Sequence, residues 1–350
     1  MLLVLGIAVL IFSIGHMKRI PTSKRWGMIA VLLLLVIGAH LILPDGSGLR
    51  IVLGGDAAQW ALVLGLGVLV WLYRLVLVRV QARADSNSAT LEDTKPKPLF
   101  SDAELGRYAR QIIMRDVGGA GQKALKEAKV LVIGAGGLGS PALQYLAAMG
   151  VGHIGVIDGD EVESSNLQRQ VIHRDQDIGV PKAFSAKRAV EDLNPFITVA
   201  PYNRRLTEEI AEELFAEYDV ILDGTDNFDT RYLSNQVAAK LGKPLISGAL
   251  AQWEGQISVF EVSEGTACYQ CVFPERPAPG LVPSCSEAGV AAPLPGVIGS
   301  MMAQEAMKII TGAGAPLRGE MLIYDAQYAD ARKIRLKRRD DCPVCGNTHG

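Results

Sequence analysis

The sequence predicts an α/β protein in two parts: a Rossmann-like domain, with a mostly parallel central sheet extended by antiparallel strands and a structural zinc site, behind two or three N-terminal transmembrane helices. Three observations carry this. Apolar sequence is concentrated in residues 1–80, a β-branched run enters a glycine turn at 134–139, and two Cys-x-x-Cys pairs stand at 268–271 and 342–345.

Mean hydropathy is +0.21, more than an ordinary soluble enzyme needs. The excess lies in Leu2–Gly15, Trp26–Leu43 and Trp60–Val80. At about 1.5 Å of helical rise per residue, the second and third runs reach across about 30 Å of hydrocarbon, whereas the first covers about 22 Å. No basic stretch precedes the first run and no small-x-small site follows it, which argues against a cleaved signal peptide. Lys18, Arg19, Lys24 and Arg25 lie between the first two runs, and Asp45, Arg50 and Asp56 between the second and third. Basic loops stay in the cytoplasm. Three spans then place Arg74, Arg79, Arg83 and all that follows inside, so the expectation is a multi-pass protein of the cytoplasmic (inner) membrane whose main domain faces the cytoplasm and its ATP.

Ala82–Leu99 is polar and ends in two Lys-Pro pairs, so residues 81–99 read as a flexible linker. Ser101-Asp-Ala-Glu104 is a capping-box pattern that starts a helix through Met114 and opens the domain at 100–350. A formal net charge of −2 gives no sign of a nucleic-acid partner.

Lys129–Ile133 enters Gly134-Ala-Gly136-Gly137-Leu-Gly139, and a helical pattern follows from Ser140 to Met149. Glycine lets the backbone approach a phosphate, and the helix N-terminus turns free N–H groups and its positive dipole end toward the anion. A second strand, His153–Ile157, ends in Asp158, placed to accept ribose hydroxyls. NAD is the default ligand of such a turn. Further on, however, stand Asn166, Arg169, Gly179-Val-Pro-Lys182, and a strand Tyr218–Leu222 running into Asp223-Gly-Thr-Asp226-Asn227. Singly, Arg169 and Lys182 would be solvated charges and Asp226 a turn residue. Together, two cations and a carboxylate suited to magnesium beyond a strand's carboxyl end match a triphosphate better than a pyrophosphate.

Arg107-Tyr-Ala-Arg110-Gln, GAGGLGS, NLQRQ, GVPK, DGTDN, CSEAGV from Cys285 and Gly296-Val-Ile-Gly-Ser together resemble the MoeB/ThiF/HesA family, which includes the ubiquitin-activating enzymes, with MoeB most similar. The resemblance covers about residues 100 to 350 and implies adenylation of the C-terminal glycine of a ubiquitin-like sulfur carrier. By matching position it sets Gly134, Gly136, Gly137 and Gly139 against the nucleotide and Asp158 on the ribose. Asn166, Arg169 and Lys182 would contact the triphosphate, Asp226 would hold magnesium beside Asn227, and Arg110 would reach a neighbouring subunit's phosphates, since family members are homodimers. A carboxylate with a pKa of about 3.5 needs no general base, so His153 and His173 read as structural.

Cys268, Cys271, Cys342 and Cys345 have the spacing of a closed four-cysteine zinc site, with a redox pair or buried apolar cysteines as the other readings. The family carries the same pairs, which favours zinc pinning the chain's end. Cys285 lies in the Pro- and Gly-rich Phe273–Gly296; it reads either as a sulfur-transfer or covalent cysteine, as in some relatives, or as a small residue of a loop.

The function expected is therefore Mg-ATP-dependent adenylation of a MoaD/ThiS-like carrier, giving acyl-adenylate and pyrophosphate ahead of thiocarboxylate formation in molybdopterin or thiamine biosynthesis, with sulfur from a separate persulfide donor. The alternatives are adenylation of another carboxylate, as in threonylcarbamoyl-tRNA cyclisation, and a non-catalytic membrane protein that docks a ubiquitin-like partner. The later strands Gly255–Val262, Met321–Asp325 and Lys333–Lys337 are expected to extend the sheet.

Overall fold

The computed structural model describes residues 2–18, 20–44, 46–92, 99–276 and 288–346. The chain forms two compact units, Met1–Lys97 and Pro98–Gly350.

In the first unit the apolar runs become α1 (Leu2–Met17), α2 (Thr22–Ile42) and α4 (Ala57–Glu92), and an unforeseen short helix, α3 (Gly48–Leu53), fills the second loop. Thr22–Ile42 and Ala57–Gln81 are long and apolar enough to cross a membrane, and Leu2–Met17 is shorter. Val4, Val36 and Trp60 form a small core, where the Trp60 indole N–H donates to the Gly54 carbonyl at 2.9 Å. Leu62, Leu69 and Trp71 on α4 stay exposed, so packing within the unit does not account for that helix's apolar surface. Arg25, expected in the loop between the first two runs, lies within α2, where it donates to the Ile20 carbonyl at 2.8 Å and lies over the Phe12 ring at 5.1 Å. The linker also departs from expectation. Helical backbone continues to Glu92, because Ala82–Glu92 contains neither Gly nor Pro to stop it. Arg19, Asp45, residues 93–98 and the side chain of Arg83 lie outside the described residues.

The second unit opens with α5 (Asp102–Ile112), capped as its sequence predicts: the Ser101 N–H donates to Glu104 Oε2 at 2.9 Å, and the Glu104 N–H to Ser101 Oγ at 3.3 Å. After α6 (Gly118–Glu127) come β1 (Lys129–Ile133), α7 (Gly139–Met149), β2 (His153–Ile157), α8 (Lys182–Leu193), β3 (Thr198–Tyr202), α9 (Glu208–Ala216), β4 (Val220–Asp223), α10 (Phe228–Leu241) and β5 (Leu245–Ala251). The chain then continues through β6 (Glu254–Phe260), α11 (Tyr269–Val272), α12 (Leu294–Thr311), β7 (Glu320–Asp325) and β8 (Asp330–Arg335). These strands form one mixed eight-stranded sheet in the order β3-β2-β1-β4-β5-β6-β7-β8. The first five are parallel and the last three antiparallel, as expected.

Strand alternation sends side chains to two faces. Val130, Val132, Ile154, Val156, Val220 and Leu222 join α7, α8 and α12 in one core. Leu131, Ile133 and Ile221 meet Phe215 of α9 and Tyr232 of α10 in the other. Both faces of the parallel strands are thus covered, as their continuous apolar runs require.

Two strands escaped the sequence reading. Pro201 in β3 speaks against a strand, but β3 is the sheet edge, where a missing N–H costs no ladder bond. β5 (LISGALA) has only Ile246 as a β-branched residue, and its Gly248 stands where α12 packs so close that a Cβ would sit 2.6 Å from Met302 Sδ.

Candidate active site

The order of the sheet reverses at β1. One crossover leads from it to β2 on one side, while β4 pairs with its other edge. Ligands bind in open parallel sheets outside the strand carboxyl ends at such a switch point. The segments that follow β1, β2 and β4 converge there.

The loop after β1 is shaped by glycine where nothing larger fits. Gly134 holds φ at +88°, and a Cβ on Gly139 would lie 1.8 Å from the Gly134 carbonyl oxygen. A Cβ on Gly224, just past β4, would come within 3.1 Å of Leu138 Cβ. Gly139→Ala must therefore shift backbone, at about 3 kcal/mol of stability. Gly136→Ala, whose Cβ would meet Gln170 Nε2 at an ordinary 3.6 Å, should cost well under about 1 kcal/mol. Denaturant unfolding of the two variants checks this contrast.

Asp158, at the end of β2, is tied to that loop: its Oδ2 accepts the Ala135 N–H and its Oδ1 the Asp160 N–H, each at 2.8 Å. Burial pushes its carboxyl above the usual carboxylate range against those two donors. Lys182 heads α8, is 6% exposed, and sets its ammonium 3.2 Å from Asp160 Oδ2. Arg169 lays its stem over Gly137, where a Cβ would lie 3.8 Å from Arg169 Cδ and 3.2 Å from Pro295 Cβ. Its guanidinium donates to the Ser165 carbonyl at 3.3 Å. Asn166 donates to Ser165 Oγ at 3.0 Å. Gln170 is buried with Oε1 unpaired among the described residues.

Beyond β4, Asp223 Oδ1 accepts the Thr225 hydroxyl at 2.6 Å and the Thr225 N–H at 3.0 Å, which folds the turn that presents Asp226 to solvent. Asn227 caps α10, its Oδ1 accepting the Thr230 N–H at 2.8 Å. Arg110 is exposed on α5 and makes no side-chain hydrogen bond or ion pair among the described residues. The site thus gathers the glycine loop, Asp158, Arg169 and Lys182, with Asp226 at the neighbouring strand end. The sequence reading passed over Asp160, although its position two residues past Asp158 was a usable signal. It also passed over Arg231, which donates to the Gly248 carbonyl at 2.7 Å, to Ser247 Oγ at 3.1 Å and to the Thr225 carbonyl, bracing the turn that carries Asp226. Cys285 lies outside the described residues.

At the far end of the unit the two Cys-x-x-Cys pairs meet. Their four sulfurs are buried and all lie within 4.8 Å of one another. Cys268–Cys271, Cys268–Cys342 and Cys271–Cys345 are 3.8, 3.6 and 3.3 Å apart. Tetrahedral thiolates around zinc stand about 3.8 Å apart for Zn–S bonds of about 2.3 Å, so the donor set fits that ion. The Arg339 N–H points at Cys271 Sγ at 3.4 Å, as a backbone donor to a thiolate would.

The sequence profile of the ThiF family matches residues 108–344. The chain is 52% identical over 252 residues to the sulfur carrier protein adenylyltransferase of Thermus thermophilus, covering 71% of this chain and 93% of that one. It is 48% identical over 252 residues to the probable adenylyltransferase/sulfurtransferase MoeZ of Mycobacterium tuberculosis, covering 71% of this chain and 64% of MoeZ. Among solved structures, E. coli MccB with MccA-N7isoASN shares the fold at 24% identity and a TM-score of 0.62, over 69% of this chain and 75% of that one. The chain belongs to the ThiF family.

Proposed function

We propose that this enzyme uses Mg-ATP to adenylate the C-terminal glycine of a ubiquitin-like sulfur-carrier protein, forming carrier acyl-adenylate and pyrophosphate. The observation that carries the reading is the 52% identity to a sulfur carrier protein adenylyltransferase across nearly that enzyme's whole length. The site supports it.

The glycine loop and the N-terminus of α7 receive the triphosphate, and Asp158 receives the ribose. Arg169 and Lys182 neutralise charge building on the departing pyrophosphate, which is the main demand of phosphoryl chemistry on a protein. Asp226 would hold a magnesium ion, which supplies further charge neutralisation and orientation when bound. The carrier's carboxylate is ionised at neutral pH and attacks the α-phosphorus directly, so the site has only to bring two anions together. The terminal sulfur of a persulfide donor protein then displaces AMP to give an acyl disulfide, and a second thiol cleaves that S–S bond, becoming part of a disulfide itself and releasing the thiocarboxylate for molybdopterin or thiamine synthesis. Arg110 would complete the site of a partner subunit in a homodimer. The four cysteines hold structural zinc, and α2 with the apolar part of α4 anchors the enzyme in the cytoplasmic membrane.

Pyrophosphate exchange into ATP, measured with purified candidate carriers and with tRNA, tests the substrate class. A carrier ending in Gly-Gly should stimulate exchange and its truncation by one glycine should abolish it. Exchange driven by tRNA alone would transfer the enzyme to the threonylcarbamoyl reading. Unchanged cellular function after Asp226→Asn would favour the docking reading.

A further inference from the structure

His173 lies directly beneath the phosphate loop, although it stands apart from the loop in sequence. It is 6% exposed. Its Nε2 is 2.9 Å from the carbonyl oxygen of Ala135, the second residue of the glycine turn, and its Nδ1 is 2.8 Å from Ser185 Oγ. A carbonyl only accepts, so Nε2 carries a proton. The Ser185 hydroxyl in turn lies 2.8 Å from Asp177 Oδ2, and Asp177 also accepts the Arg174 N–H at 3.2 Å and pairs with Arg188.

With a neutral ring this chain is one proton short. Ser185 has a single hydroxyl hydrogen and two acceptors, Nδ1 and Asp177. Whichever it serves, the other buried contact faces a lone pair with a lone pair, which is costly in a low-dielectric interior. A proton on Nδ1 resolves this, because His173 then donates to Ser185, Ser185 to Asp177, and Nε2 to Ala135.

Charges around the ring oppose one another. Burial pushes the imidazole pKa below its usual range, and the Lys182 ammonium pushes the same way, while the Ala135 carbonyl, Asp158 and Asp177 push upward. Burial prevails without a ligand, and the ring is neutral near neutral pH. An arriving triphosphate adds several negative charges above Ala135 and neutralises the effect of Lys182.

We propose that His173 is a positioning residue of the phosphate loop, taking up one proton from solvent onto Nδ1 as a triphosphate binds and thereby locking the chain Ala135–His173–Ser185–Asp177. The proposal rests on the reading that the glycine loop receives ATP. Ligand binding and ring protonation are then reciprocal. A pKa raised by about one unit on binding corresponds to about tenfold tighter binding to the protonated form.

Titration calorimetry of the full-length enzyme in detergent with Mg-ATP and no carrier, in buffers of differing ionisation enthalpy near neutral pH, reads the proton count. Net uptake of a fraction of one proton is expected. His173→Gln, whose amide N–H can still reach Ala135, and Ser185→Ala, which removes the acceptor for Nδ1–H, should each abolish the uptake and lose the rise in ATP affinity that the unmodified enzyme shows as pH falls below neutral, a deficit that grows toward about tenfold at the acid end. His173→Gln should also flatten the pH dependence of KM for ATP while leaving kcat nearly unchanged. ATP binding to the unmodified enzyme without proton uptake, or uptake that survives in both variants, would overturn the proposal alone. Failure of ATP to bind at all would overturn the phosphate-loop reading and the proposal with it.

Discussion

Lys182→Ala lowers kcat for carrier-dependent pyrophosphate exchange by about 10²- to 10³-fold, the usual loss when one preorganised charge-stabilising group is removed from a reacting centre. The size follows from where the ammonium sits. It is 6% exposed at the head of α8, and a cation sheltered from water acts on a nearby phosphate far more strongly than a solvated one. Its partner Asp160 stands largely in solvent, at 3.2 Å, so breaking that pair should cost little stability. The expected signature is a large fall in rate with the thermal midpoint nearly unmoved. Lys182→Arg should recover little, because a planar guanidinium does not replace a compact ammonium in a buried slot. A loss confined to KM, with kcat intact, would move Lys182 from stabilising the transition state to ground-state binding.

Cys342→Ser should unfold the end of the domain. The cysteines join Cys268 and Cys271, flanking and within α11, to a C-terminal segment whose preceding strand, β8, is exposed at every position. Besides Cys342 and Cys345 themselves, only Leu336 and Val344 of that segment pack into the hydrophobic clusters among the described residues. Structural zinc binding supplies about 10 kcal/mol or more in small sites, and losing even about 4 kcal/mol of it in a domain of this size lowers the melting temperature by roughly 8–16 °C. Calorimetry and metal analysis on the same samples check this. One zinc per chain and a shared loss of zinc and stability are expected, with stability restored by neither reductant nor oxidant. A full complement of stability in the metal-free protein would remove zinc from the account.

Much of this was legible in the sequence because local pattern and tertiary role coincided. Lys129–Ile133 and His153–Ile157 were bounded to the residue, since glycine and Asp158 punctuate strands that are buried on both faces. The capping box at Ser101 acted as written. What stayed hidden depended on neighbours far along the chain. β5 is a strand because it pairs with β4 and β6, and its Gly248 makes room for α12; β3 tolerates Pro201 because no strand pairs beyond it. The helix through Glu92 was masked by polar composition that suggested a tether, although polarity alone does not end a helix. His173 was set aside as structural for want of a partner nearby in sequence. Its partners are Ala135, 38 positions away, and Ser185, 12 away. Spacing within a motif shows which residues share a strand end, but it does not show the buried contacts that link Ala135 through His173 and Ser185 to Asp177.

The most direct test of the central claim is the intact mass of a carrier ending in Gly-Gly after brief incubation with the full-length enzyme, ATP and magnesium, with pyrophosphatase present and no sulfur donor. The carrier should become heavier by one adenylyl group with the unmodified enzyme and not with Lys182→Ala or Asp226→Asn. A carrier of unchanged mass, with ATP consumed only when tRNA or another carboxylate is supplied, would contradict it.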